Sequence, residues 1–180
     1  MSRSPAIDQA AEDFGMPMGP VELVDSVGID VALNVSRVLG KAFDRPVPEQ
    51  LADMVDAGHL GRKSGQGFYT WEDGKARKPA VDTTGADLPD DLQDRLMLPM
   101  VNEAVACLSE AVVEDPDLLD AGVIFGTGFA PFRGGPLRYA RDRGIDEVRQ
   151  RLQELAEKHG DRFAPHPGWA DLPAMLRDAG

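Results

Sequence analysis

A twelve-residue phrase is spoken twice in this chain. Residues 19–30 read GPVELVDSVGID and residues 135–146 read GPLRYARDRGID; each opens on Gly-Pro and closes on Gly-Ile-Asp. The Gly-Pro pairs, Gly19-Pro20 and Gly135-Pro136, lie 116 residues apart, and so do the closing triplets. Proline at the first helical position and glycine just past the last one mark the ends of a short helix. Both markers are kept here, while almost every residue between them differs. A helical pattern and a loop mixing proline with methionine or aromatics precede each copy: Phe14-Gly15-Met16-Pro17-Met18 before the first, Phe129-Ala130-Pro131-Phe132-Arg133-Gly134 before the second. Such self-similarity marks a duplicated helical unit. Duplicated units commonly pack about a pseudo-twofold axis, as two identical subunits would.

The rest of the chain fits a helical reading. Ser4-Pro5 predicts a helix to about Phe14, and Val21, Val24 and Val27 line the short helix that Gly28 stops. Asp30 is the expected cap of a third helix, with Val31, Leu33, Val35, Val38, Leu39 and Phe43 on a broad apolar face. Pro48 opens a fourth helix, ending near Gly58. Residues 58–78 are too glycine-rich for helix, and Phe68-Tyr69-Thr70-Trp71 favours an extended segment before a turn at Glu72-Asp73-Gly74. The second half opens with a long helical pattern over about 90–113, bent by Pro99. Pro116 starts a helix to about Phe125. A long helix from about Asp146 to His159 and a terminal helix from Asp171 complete the pattern. No long apolar–polar alternation occurs, so the expected class is all-α: a first domain over 1–78, a polar linker over 79–88 and a second domain over 89–180. The second copy has its long helix ahead of the loop and the first has none before Ile7. The first copy is therefore expected to be truncated, with an apolar groove left open to self-association or a swapped element between two chains.

Charge excludes one class of partner. There are 31 Asp plus Glu against 19 Lys plus Arg, a net −12, and nucleic-acid binding needs a concentrated basic face. An anionic ligand would have to find Arg62, Lys63, Lys75, Arg77 and Lys78, the one locally basic stretch. A lone cysteine, Cys107, permits no internal disulfide and is expected to be a structural thiol. The first residues lack a signal-peptide apolar core and no window approaches a membrane span, so the expected setting is cytoplasmic. His59, His159 and His166 have no Asp, Glu or Cys partners at ligand spacing, which argues against a metal site. Gly65-Gln66-Gly67 runs into FYTW rather than a helix N-terminus. It reads as a tight turn and not as a phosphate loop.

The stretches FGMPMGPVELVDSVGID, GHLGRKSGQGFYTW, RLMLPMVNEAVACLSE and GTGFAPFRGGPLRYARDRG, in that order, resemble the C-terminal part of 3-hydroxyacyl-CoA dehydrogenases, most closely as found in the α-subunit of bacterial multifunctional fatty-acid β-oxidation complexes. The resemblance implies two tandem copies of a 6-phosphogluconate-dehydrogenase-C-terminal-like helical domain in pseudo-twofold packing, the first lacking its long N-terminal helix. It implies an enoyl-CoA hydratase/isomerase domain and a Rossmann domain in the full-length protein, and oxidation of 3-hydroxyacyl-CoA with hydride passing to NAD. The NAD and the catalytic His–Glu pair would belong to the Rossmann domain. No cofactor and no catalytic residue is therefore expected within these 180 residues, and the fragment alone is expected to be inactive. An asparagine of the family's first copy has Asp94, beside Arg95, at the matching place of the second. Met16, Pro17 and Met18 would lie on the acyl-chain side of the substrate cleft, where flexible thioethers suit chains of several lengths, unless they simply pack the loop. Gly19, Pro20, Gly134, Gly135 and Pro136 would shape the interface between copies, with Arg133 pairing a carboxylate or capping a helix C-terminus there. Arg62 and Lys63 would either touch CoA phosphates or form a solvated turn. Implied partners are the acyl-CoA substrate, the protein's own Rossmann and hydratase domains, a thiolase subunit and a homodimer partner. The alternative is a standalone helical assembly module that docks on a β-oxidation subunit.

Overall fold

The computed structural model describes residues 3–43, 45–80 and 89–177. The protein is mostly helical and divides into two compact units, Met1–Glu12 with Met18–Asp87 and Asp13–Pro17 with Leu88–Gly180. The expected linker, 79–88, lies almost wholly outside the described residues.

In the first unit, α1 (Ser4–Phe14, its last two residues in the second unit), α2 (Pro20–Val27), α3 (Ile29–Ala42) and α4 (Glu49–Asp56) follow one another. Gly28, at φ 112°, separates α2 from α3; a side chain there would be strained. The expected cap at Asp30 is not what starts α3. The helix begins at Ile29 with Gly28 as its N-cap, and Asp30 sits in the first turn paired with Lys63. Ile29, Leu33 and Leu51 form the core of the unit, with Val24, Val47, Met54, Val55 and Phe68 packed against them. The all-α expectation has one exception: β1 (Thr70–Glu72) and β2 (Lys75–Arg77) pair antiparallel with Thr70 opposite Arg77. Asp73 and Gly74, at φ 52° and 74°, make the left-handed two-residue turn that Asp-Gly favours.

The second unit is built on α5 (Leu92–Ser109), followed by α6 (Pro116–Thr127), α7 (Pro136–Arg143), α8 (Ile145–His159) and α9 (Leu172–Met175). α5 continues through Pro99 but stops at Ser109, short of residue 113, where the chain turns with Ala111 at φ 55°. Asp115 caps α6 by accepting the Asp117 and Leu118 amides. Leu98, Val101, Val105, Leu137, Val148, Leu152, Leu155, Phe163, Trp169 and Leu172 fill the core. Burying one such side chain contributes roughly 1.5–3 kcal/mol. No helix among the described residues is long and apolar enough to cross a membrane.

Candidate functional site

Each copy of the repeated phrase is held by a buried aspartate that lies outside it. In the first unit, Asp8 of α1 accepts the backbone amides of Val21 and Glu22 at 2.7 and 3.1 Å. In the second, Asp120 of α6 accepts those of Leu137 and Arg138 at 2.8 and 2.9 Å. The capped amides are again 116 positions apart. Both carboxylates satisfy free donors at a helix N-terminus and meet the positive end of its dipole. Both also crowd the glycine of the Gly-Pro pair: a Cβ on Gly19 would collide with Asp8, and one on Gly135 with Asp120. Asp8 additionally accepts the Tyr69 hydroxyl at 2.8 Å, and burial together with that carboxylate raises the Tyr69 phenol far above its ordinary value. Burial likewise raises Asp120, against the two amides.

The glycine-rich turn is organised around a third buried aspartate, Asp25 of α2. Its carboxylate accepts the Phe68 and Tyr69 amides and the Trp71 indole N–H at 2.8, 2.9 and 3.0 Å. A Cβ at Gly61 or Gly67 would run into Asp25. The glycines are there because the chain's own carboxylate comes close, and an anionic phosphate has no place beside it. Residues 61–67 do not fit a dinucleotide.

The locally basic stretch is met by the unit's own acids. Lys78 pairs with Glu12 and Glu22, both at 2.6 Å, and approaches Asp8 at 3.7 Å. Burial pulls its pKa down, but the two glutamates outweigh burial and leave it raised. Arg77 pairs with Glu72, Lys63 with Asp30, and Arg62 lies over the Trp71 ring; Lys75 is exposed.

Among the other residues singled out by sequence, Met16 and Met18 are half-buried and Pro17 is exposed. Met18 belongs to the first unit, where its Sδ faces the Ser26 hydroxyl at 3.9 Å. Met16 and Pro17 belong to the second, and Pro17 packs so closely on Gly128 that a Cβ there would lie 2.8 Å from its ring. Arg133 donates from Nε to the carbonyl of Phe14 at 2.8 Å, and its guanidinium lies 4.1 Å from the Phe14 ring centroid, against Phe132 and Tyr139 as well. Gly134 takes φ 76° and Gly135 φ 104°, leading into Pro136 at the start of α7. Asp94 of α5 receives Arg143 at 2.6 Å and Arg151 at 2.8 Å. Burial acts to raise it, and the two arginines outweigh that and leave it lowered. His59 is exposed, His159 bonds Asp91, and His166 accepts the Gly168 amide on Nδ1. Cys107 is half-buried, with its thiol pushed up by burial.

The match to a family model falls on the segment that holds the first Gly-Pro helix and the glycine turn. Residues 3–71 match the family of 3-hydroxyacyl-CoA dehydrogenase C-terminal domains. Beyond that segment, the similarity to known proteins runs along most of the chain. It is 42% identical over 176 residues to the fatty acid oxidation complex subunit alpha of Vibrio vulnificus, covering 90% of this chain and 24% of that protein. The subunit of the same name from Idiomarina loihiensis is 38% identical over 172 residues. The chain thus spans about a quarter of the length of these relatives. Among solved structures, a 3-hydroxybutyryl-CoA dehydrogenase from Escherichia coli superposes with a TM-score of 0.72 at 20% identity, over 99% of this chain and 54% of that one. The dehydrogenase part of multifunctional enzyme 1 from C. elegans gives 0.66 at 23% identity, over 93% and 41%. At these identities the two structures bear on the fold alone.

Proposed function

We propose that residues 1–180 are the C-terminal helical region of an NAD-dependent 3-hydroxyacyl-CoA dehydrogenase that works within a multifunctional fatty-acid β-oxidation protein. The observation that carries this reading is the 42% identity to a fatty acid oxidation complex subunit alpha across 90% of the chain. In this reading the 3-hydroxyacyl-CoA is oxidised on a Rossmann domain outside these residues, which supplies NAD and the proton-abstracting pair. Met16, Pro17 and Met18 face the acyl chain. The region's own contribution is to hold the substrate side of the cleft and to assemble with hydratase, Rossmann and thiolase partners in the cytoplasm. By itself it turns over no substrate.

The same reading makes the two units tandem copies. The paired caps Asp8 and Asp120, at equivalent Gly-Pro helices, support it, as does the glycine that separates two successive helices in each unit, Gly28 at φ 112° and Gly144 at φ 106°. A second reading, a standalone helical assembly module that docks on a β-oxidation subunit, is favoured by the exposed apolar side chains of α3. Calorimetric titration of the chain into Vibrio vulnificus subunit alpha lacking its aligned region tests the first. Micromolar or tighter 1:1 binding is expected. Absence of binding between the two folded proteins would remove it.

A further inference from the structure

The two buried cap aspartates differ in what else they hold. Asp8 and Asp120 each accept one amide of their Gly-Pro helix on Oδ1 and the next on Oδ2. Oδ2 of Asp8 also accepts the Tyr69 hydroxyl at 2.8 Å, so that fully buried carboxylate has three donors. Among the described residues no side chain donates to Asp120, which is 7% exposed and has two. Each carboxylate oxygen has two acceptor positions, and a buried one left short of donors is costly. Asp120 instead lines a cleft of about 100 Å³, walled by Pro116, Leu137 and Leu176 and edged by Asp117 and Arg141. Burial already penalises its charge, and one more donor would offset that penalty.

We propose that the cleft beside Asp120 is a binding site for a phenol hydroxyl, supplied by a tyrosine side chain of a polypeptide outside residues 1–180. The first unit sets the chemistry. There the matching carboxylate is completed by a tyrosine at 2.8 Å, while the ammonium of Lys78 stays at 3.7 Å. An ammonium is disfavoured in the second unit because Arg141 already acts on Asp120 as a positive charge. A phenol carries no charge and offers one donor, and its ring suits the proline and leucine walls. The size agrees. A cavity of ~150 Å³ holds benzene, so an open cleft of about 100 Å³ takes the hydroxyl half of one ring. The chain's two tyrosines are engaged within the fold, Tyr69 with Asp8 and Tyr139 with Arg143, so the side chain comes from elsewhere. The inference uses the likeness of the two caps and nothing of the dehydrogenase reading.

The test titrates the isotope-labelled 180-residue chain with p-cresol, its methyl ether, N-acetyl-tyrosinamide and n-butylammonium, following the Leu137 and Arg138 amides by NMR. Both phenols are expected to move these amides saturably in the millimolar range. The ether, which cannot donate, should bind at least about tenfold more weakly. The Val21 and Glu22 amides, whose aspartate already holds Tyr69, should stay still. Leu176→Trp, which closes the cleft with a larger ring, should abolish the shifts, and unchanged amides elsewhere report that the variant is folded. Nuclear Overhauser contacts from p-cresol to the Leu137 and Leu176 methyls in the unaltered chain give the location without any variant. Equal binding by the ether, tighter binding by n-butylammonium, no saturable shift, or shifts that persist in folded Leu176→Trp would overturn the proposal. Binding of p-cresol but not of N-acetyl-tyrosinamide would also overturn it, by making the ligand a free phenol.

Discussion

Alanine at Gly19 isolates the contact on which the first Gly-Pro helix depends. Gly19 has φ −71° and ψ 153°, a conformation open to any L-residue. On backbone grounds alone Gly19→Ala would stabilise the protein by ~0.4–1 kcal/mol, through the unfolded chain. The new Cβ, however, collides with Asp8, and relief requires Asp8 to move. That carboxylate holds the Val21 and Glu22 amides at 2.7 and 3.1 Å and the Tyr69 hydroxyl at 2.8 Å. Hydrogen bonds to a charged group contribute ~1.5–3 kcal/mol each, so loss of one or two predicts a net cost of about 3 kcal/mol. Asp8→Ala should cost about 3–5 kcal/mol, because it strands all three donors. The double variant decides the mechanism. With Asp8 already truncated the Cβ meets less, and the two costs should fall short of additive by about 2 kcal/mol. Urea denaturation followed by far-ultraviolet circular dichroism and tryptophan emission supplies the free energies. A neutral or stabilising Gly19→Ala, or strict additivity with Asp8→Ala, would refute the reasoning. Gly135→Ala should be worse than Gly19→Ala, since φ 104° adds backbone strain to the same collision.

Three further outcomes follow from the buried charges and the arginine clasp. Asp25→Asn leaves an NH₂ group facing at least one of three donors, so the strand pair Thr70–Arg77 should loosen at a cost of about 2–4 kcal/mol, seen as a shift of Trp71 emission at low urea. Arg133→Lys loses the planar stack on Phe14 and the aimed Nε–H, and should lower stability by about 1–2 kcal/mol in thermal melts, because a lysine cannot reproduce either contact. Asp91 is held below the usual carboxylate range by Lys158 and then His159, and Asp94 is lowered despite burial by Arg143 and Arg151. Groups with depressed folded pKa values contribute stability that is fully present above their unfolded pKa near 4 and lost as pH falls through the folded values. Acid titration should therefore show stability falling below about pH 4, and Asp94→Asn should flatten that fall; an unchanged slope would sink the assignment.

The sequence exposed what is local. Gly28 and Gly144 stop α2 and α7 where the repeated phrase places them, and Pro20 and Pro136 begin those helices, because chain-end chemistry depends on neighbours. The aspartates that cap the helices were not legible. Asp8 lies 11 residues before Gly19, while Asp120 lies 15 before Gly135; the four-residue difference in the intervening segments hides their equivalence from a fixed spacing. A signal existed in retrospect: each is an aspartate directly after an apolar pair, Ala6-Ile7 or Leu118-Leu119, on the helix ahead of a Gly-Pro loop. Asp25 was hidden in another way, since it reads as the polar face of α2 until the glycine turn folds onto it from 43 residues away. Arg133 meets the C-terminal carbonyl of α1, 119 residues distant; a helix C-terminus was one of its two expected partners, but no local pattern names which helix. Asp30 misled because an aspartate beside a helix start usually caps it, whereas here Lys63 claims its carboxylate and Gly28 supplies the cap position.

The central claim concerns catalysis that this region supports without performing. It is tested most directly by NAD-dependent oxidation of a 3-hydroxyacyl-CoA, followed as NADH absorbance. The chain is assayed alone, then mixed with Vibrio vulnificus subunit alpha lacking the region aligned to it, and that truncated partner is also assayed alone. The account predicts no turnover by the chain, little by the truncated partner and restored turnover in the mixture. Turnover by the chain alone, or a mixture no more active than the truncated partner although both proteins are folded, would contradict it.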